Sequence, residues 1–177
     1  MATTGTSSEF EDMTKALNIT LAQLNPIVGD LPYNLDLVRR VRDDAPAGTD
    51  LIVFPEMVLC GYPPEDLILK KSFLDRIDRH VEILAQESAG RDTFLLVPAP
   101  HRVGGKTRNA AHLIGGGKVV ATIGKNHLPN YGVFDEARVF QPAPLPEPVE
   151  FKGHKLGVMI CEDMWFADVA GHLKAKG

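Results

Sequence analysis

The chain has 177 residues, 44% hydrophobic and 24% charged, the size and balance of one globular domain able to bury its own core. No run approaches the ~18 apolar residues of a membrane span, and 19 Lys plus Arg against 23 Asp plus Glu leave a net charge of -4, with no basic footprint for nucleic acid or an anionic lipid surface. Two cysteines, Cys60 and Cys161, exclude a disulfide-dense secreted scaffold. With no Cys-x-x-Cys or Cys/His cluster there is no structural zinc signal, and a reducing, cytoplasmic setting is the expectation.

Residues 1–16 carry Thr3, Thr4, Ser7, Ser8, Glu9, Glu11 and Asp12 without an apolar core or early basic residues, which reads as a disordered N-terminal tail rather than a signal or transit peptide. Leu17 to Gln23 predicts a strand, ended by Pro26 and Gly29. Asn34 is placed to cap a helix carrying Leu35, Val38 and Val41, which closes near Pro46 and Gly48. Leu51 to Phe54 is apolar without alternation, the pattern of a strand covered on both faces, and it delivers Glu56 to its end.

Ser72 is placed to cap a long helix with Phe73, Ile77, Val81 and Leu84 on one side, closing near Gly90. Phe94 to Val97 predicts another buried strand. Between Arg108 and Lys125, two strand-like runs joined by Gly115, Gly116 and Gly117 predict a hairpin; the spacing around Lys118 does not match a phosphate-binding loop. Pro142, Pro144, Pro146 and Pro148 favour an extended connector, Lys155 to Ile160 a buried strand, and Phe166, Val169, Ala170 and Leu173 a final helix. The order β-α-β-α-β-β-β and then β-α implies an α/β fold with a layered sheet, whose reactive groups gather where strands end.

Glu56 and Cys161 occupy such places. Cys161 follows an apolar strand and precedes Glu162, Asp163, Met164 and Trp165, so a strand-to-helix turn there can expose its sulfur and aim backbone N–H groups at an oxyanion. The plain alternative is a buried small thiol. A thiol nucleophile needs a base and a stabilising charge. Of six histidines only His127 lies in a segment rich in polar and aromatic groups, with Lys125, Asn130, Tyr131, Phe134, Asp135 and Glu136. Lys125 taken alone can be a solvated surface charge and Glu56 a rim carboxylate; beside a cysteine, a lysine can stabilise thiolate or oxyanion and a desolvated glutamate can shuttle protons.

Three segments resemble the signatures of the nitrilase superfamily of carbon-nitrogen hydrolases: LIVFPEMVLCGYPPEDL (51–67), GKNHLPNYGVFDEARVF (124–140) and LGVMICEDMWF (156–166). More narrowly, GYPPED (61–66) and HLPNYGVFDE (127–136) are similar to the glutaminase domain of glutamine-dependent NAD synthetases. The resemblance implies a nitrilase-like α-β-β-α sandwich over 17–177, incomplete at its C-terminus. It puts a Glu-Lys-Cys triad on Glu56, Lys125 and Cys161, with Glu136 as a supporting glutamate and Tyr62, Tyr131 and Glu162 lining a glutamine pocket.

It further implies that Cys161 attacks the glutamine amide and Glu56 serves as base and then acid. Lys125 and the Glu162 N–H hold the oxyanion, and water releases glutamate from the thioester. No metal or cofactor is implied for this chain. ATP and magnesium belong to a separate synthetase domain, absent from this chain, that receives the ammonia and converts nicotinic acid adenine dinucleotide to NAD. A homo-oligomer is expected by the same resemblance. The alternatives are another superfamily amidase (an ω-amidase or aliphatic amidase) and an inactive truncated module.

Overall fold

A computed structural model describes residues 16–177; the expected tail over 1–16 falls, but for its last residue, outside them. The framework is a five-stranded sheet in the order β1 (Ile19–Leu21), β2 (Leu51–Val53), β3 (Phe94–Val103), β4 (Lys106–Gly115) and β5 (Lys118–Gly124). Strands β1, β2 and β3 run parallel, while β3, β4 and β5 form an antiparallel meander. The parallel part needs helical crossovers, supplied by α1 (Leu31–Asp44) and α2 (Lys71–Glu87).

Alternation along the strands divides the core in two. Ile52, Leu95, Val97 and Ile114 face the helices and pack with Leu31, Leu35, Val38, Phe73, Ile77 and Leu84. Leu51, Leu96, Ala111 and Leu113 face the other way and meet Phe151 and Ile160. On that second face lies a hairpin of β6 (Val149–Phe151) and β7 (His154–Leu156). The terminal helix α4 (Ala167–Ala175) follows, its Leu173 so near Gly157 that a Cβ there would lie 3.2 Å from Leu173 Cδ1. The layers therefore run helix, sheet, sheet, helix, with the second sheet reduced to two strands. A single-turn helix, α3 (Glu136–Val139), sits in the loop after β5.

Several local expectations are corrected. Helix α1 begins at Leu31, capped by Asp30, whose Oδ1 accepts from Tyr33 N at 3.1 Å; Pro32 fits because a first-turn N–H has no helical partner. Asn34 instead lies inside the helix, fully buried. Its carboxamide bonds both the N–H and C=O of Ile27 and the C=O of Leu59, locking the loop after β1 to the segment after Glu56. Helix α2 starts at Lys71 with no side-chain cap, so Ser72 belongs to its first turn.

Strand β3 continues through Pro98 and Pro100 to Val103. Its even-numbered residues turn their backbone toward β2, as Leu96 O does in accepting from Phe54 N. Because β2 pairs only as far as Leu96, the missing N–H groups of both prolines face a side without a partner strand. The buried strand expected over 155–160 is limited to His154–Leu156, and residues 157–160 run irregularly to the next turn. The connector over 141–148 has no regular structure, in keeping with its alternate prolines.

Candidate active site

The strand ends of the first sheet converge on one cluster of charge. Lys125 follows β5 directly, with its backbone held on both sides: Lys125 N donates to Asn109 O at 2.8 Å and Ala143 N donates to Lys125 O at 2.8 Å. Its side chain is fully buried, overturning the surface-charge alternative. The ammonium donates to Glu56 Oε1 at 2.7 Å and Glu136 Oε1 at 2.8 Å. Burial draws the Lys125 pKa down, but Glu56 and Glu136 together outweigh it and hold the ammonium above its ordinary value.

Glu56 stands in the turn after β2, just before the buried run Met57–Cys60. Glu136 opens α3 and is 4% exposed. Burial raises the Glu136 pKa, opposed by the bond from Lys125. Tyr62 OH donates to Glu136 Oε1 at 2.9 Å, so the tyrosine expected to line the pocket also braces this carboxylate. Its phenol is pushed upward by burial and by the negative charge of Glu136.

Cys161 opens a 3-10 helix, Cys161–Trp165, with φ at +46°. Left-handed backbone is uncommon for a side chain other than glycine, Asn or Asp and is tolerated where the surroundings enforce it. Here Asp163 enforces it. This 1% exposed carboxylate accepts from Ile160 N at 3.1 Å through Oδ2, and from Asn126 N at 3.0 Å and His127 N at 2.8 Å through Oδ1. One side chain thus clamps the cysteine turn to the residues immediately after Lys125.

The thiol is solvent-accessible, so the buried-thiol alternative describes Cys60, not Cys161. Burial of the sulfur and the adjacent Glu56 carboxylate raise the Cys161 pKa, with Lys125 opposing. Cys161 thus stands beside the Glu56 carboxylate. Cys60 is fully buried and pushed up to about 12 by desolvation.

Beside the sulfur, Tyr131 OH donates to Glu162 Oε2 at 3.0 Å. Glu162 is 8% exposed, whereas Tyr131, Met164 and Trp165 are exposed. His127 is not brought to the sulfur as a base: its Nε2 pairs with Asp168 at 2.9 Å and its ring stacks on Phe166. Two residues went unforeseen, Asp163 and Asn109. The second is fully buried and donates from Nδ2 to Glu56 Oε1 at 2.6 Å and, at 3.4 Å, to Glu136 Oε2. Asp163 carries a sequence signal as an acidic residue two places after Cys161, whereas Asn109, inside β4, comes opposite Lys125 only through the register irregularity at Leu113/Ile114.

The family model for carbon-nitrogen hydrolases matches residues 18–177. The chain belongs to the carbon-nitrogen hydrolase family. Among relatives, it is 39% identical over 152 residues to a glutamine-dependent NAD(+) synthetase of Aquifex aeolicus, covering 86% of this chain and 27% of that protein. It is 40% identical over 167 residues to the synthetase of Rhodobacter capsulatus, covering 93% and 30%.

The glutamine-dependent NAD+ synthetase of Acinetobacter baumannii, solved with ADP, superposes with a TM-score of 0.82 at 34% identity, over 91% of this chain and 30% of that one. An amidase from Nesterenkonia sp. superposes at 0.76 with 25% identity, over 91% and 61%. The chain spans under a third of the length of the synthetases it matches. As a carbon-nitrogen hydrolase it shows the α-β-β-α layering that the resemblance implied.

Proposed function

We propose that this carbon-nitrogen hydrolase chain is the glutamine-hydrolysing part of an NAD synthetase. The observation that carries the reading is one buried ammonium, Lys125, held between Glu56 and Glu136 beside a thiol on a strained turn. Glu56 takes the Cys161 proton as the sulfur attacks the side-chain carboxamide carbon of glutamine. Lys125 has three N–H groups and two are committed to carboxylates, which leaves one for the developing oxyanion. The N–H of Glu162, in the first turn of its 3-10 helix, lies outside the intrahelical bonding and supplies a second donor. Glu56 returns the proton to the departing nitrogen, ammonia leaves, and a water activated by the same carboxylate hydrolyses the thioester to glutamate.

Glu136 and Tyr62 keep Lys125 in place. Glu162, oriented by Tyr131, offers a carboxylate for the substrate's α-ammonium. ATP and magnesium have no part in these proposed steps. We assign them to a synthetase domain that uses the ammonia, with the whole acting in the cytoplasm as a homo-oligomer. Among the described residues no helix is long and apolar enough to cross a membrane.

The likeness to the Nesterenkonia amidase favours one second reading, hydrolysis of simpler amides. Release of ammonia from glutamine, from its decarboxylated or deaminated analogues and from short aliphatic amides separates the two. Selectivity for glutamine, lost in Cys161→Ala, supports the proposal. Faster turnover of aliphatic amides overturns the substrate assignment, and no Cys161-dependent hydrolysis of any amide overturns the enzyme reading.

A further inference from the structure

Asn109 touches both carboxylates of the cluster with its side chain and the backbone of Lys125 with its own. Its main-chain carbonyl accepts from Lys125 N, its Nδ2 donates to Glu56 Oε1 at 2.6 Å, and the same nitrogen approaches Glu136 Oε2 at 3.4 Å. The amide orientation is dictated by its surroundings, since turning the oxygen inward would oppose it to two carboxylates. The outward Oδ1 is buried and has no hydrogen-bond partner among the described residues. Leaving a buried carbonyl oxygen unpaired works against stability. The residue type is therefore explained by what Nδ2 does.

Glu56 needs one oxygen held still and the other available. Lys125 Nζ and Asn109 Nδ2 both bond Oε1. Two donors on the one oxygen hold that corner of the carboxylate and leave Oε2 outside these bonds, while the carboxylate as a whole stands beside the Cys161 thiol. Lys125 gives Glu56 only one of its N–H groups, because a second is committed to Glu136, so Asn109 supplies the second donor at Oε1. The groups facing Glu56 are Lys125 after β5, Asn109 on β4, Cys161 in its turn, the Tyr62 phenol and the Glu136 carboxylate.

We propose that Asn109 is the positioning residue of the acid–base carboxylate, clamping Glu56 by Oε1 so that Oε2 is left free to take the Cys161 proton, while separating Glu56 from Glu136. The inference rests on the hydrolase reading above. The side chain can be tested apart from the main-chain bond to Lys125, which any residue on β4 preserves.

The test compares Asn109→Leu, similar in size without a donor, and Asn109→Ser, which retains a donor, with the parent enzyme. Active sites are counted by alkylation of Cys161 at alkaline pH, where the thiol ionises without help from Glu56. The expectation for Asn109→Leu is a normal active-site count, KM for glutamine within about twofold, and kcat lowered on the order of 100-fold. The acidic limb of its kcat/KM profile moves to higher pH, because a donor to an ionised carboxylate has been withdrawn. Asn109→Ser recovers part of kcat.

Unchanged kcat per titrated site in Asn109→Leu overturns the proposal, as does a loss carried by KM or by the active-site count alone. If Asn109→Leu does not fold, Asn109→Ser decides by the same kcat criterion. Failure of the underlying reading looks different: the parent then shows no Cys161-dependent amide hydrolysis at all.

Discussion

Replacing Lys125 with methionine removes the only cation among the described residues that touches Glu56 and Glu136, while conserving most of the side-chain volume. The three side chains are 0%, 17% and 4% exposed, so water cannot take over the lost role at the inner carboxylate. Removing one partner of a buried ion pair costs about 3–5 kcal/mol. At ~2–4 °C per kcal/mol for a domain of this size, the melting temperature near pH 7 falls by roughly 6–20 °C.

The pH dependence gives a sharper signature. Glu136 is already held above the ordinary glutamate value by burial, and losing Lys125 raises it further. Between the unfolded and folded values the folded protein then binds the extra proton, so stability falls as pH rises through that window. Lys125→Met therefore sits closest to the parent at acidic pH and falls further below it as pH rises through the raised Glu136 value toward neutrality and above. In the parent, Lys125 contributes stability that is present below its ordinary value of 10.5 and lost as pH rises through its higher folded value. Thermal unfolding followed by circular dichroism across this range tests the reasoning, with Lys125→Met/Glu136→Gln as a partial rescue. An equal deficit at both pH extremes, or no deficit, refutes it.

Asp163→Ala deprives three backbone N–H groups of their acceptor; an expected loss of about 3 kcal/mol is read by denaturant unfolding, and a neutral effect would contradict the clamp. Glu162→Gln raises KM for glutamine by about tenfold or more, as expected for losing a bond to a charged group, with Tyr131→Phe following more weakly; steady-state kinetics showing a fall in kcat at constant KM would place these residues elsewhere in the cycle. Iodoacetamide at neutral pH labels Cys161 before Cys60, and because burial and Glu56 hold the Cys161 thiol up, its rate climbs as pH rises; peptide mapping that finds Cys60 labelled first would reverse the assignment.

The alternating and continuous apolar runs made β2, the glycine hairpin, α2 and α4 legible, because burial of those side chains decides their conformation. Capping was less legible. Asn34 has the chemistry of a cap, yet tertiary packing uses its amide to tie two loops together, and Asp30 with Pro32 starts the helix instead.

The site residues carried by the three signature segments are gathered around one ammonium, apart from Tyr131 and Glu162, which pair beside the sulfur. The burial of Lys125 was not legible from a lysine in a polar segment, since it depends on two carboxylates 69 and 11 residues away in sequence. Asn109 was hidden by a register shift. Counting a straight ladder back from Gly115 opposite Lys118 sets Arg108 against Lys125, but the irregularity at Leu113/Ile114 moves the pairing by one residue and brings Asn109 there.

The central claim is that glutamine is cleaved through a thioester on Cys161. Rapid quenching of the enzyme with glutamine in acid, followed by peptide mass mapping, tests it directly. The account predicts a glutamyl adduct on the peptide carrying Cys161, accumulating before steady-state ammonia release and missing in Cys161→Ala. An adduct on any other residue, or glutamine hydrolysis that persists in Cys161→Ala, would contradict it.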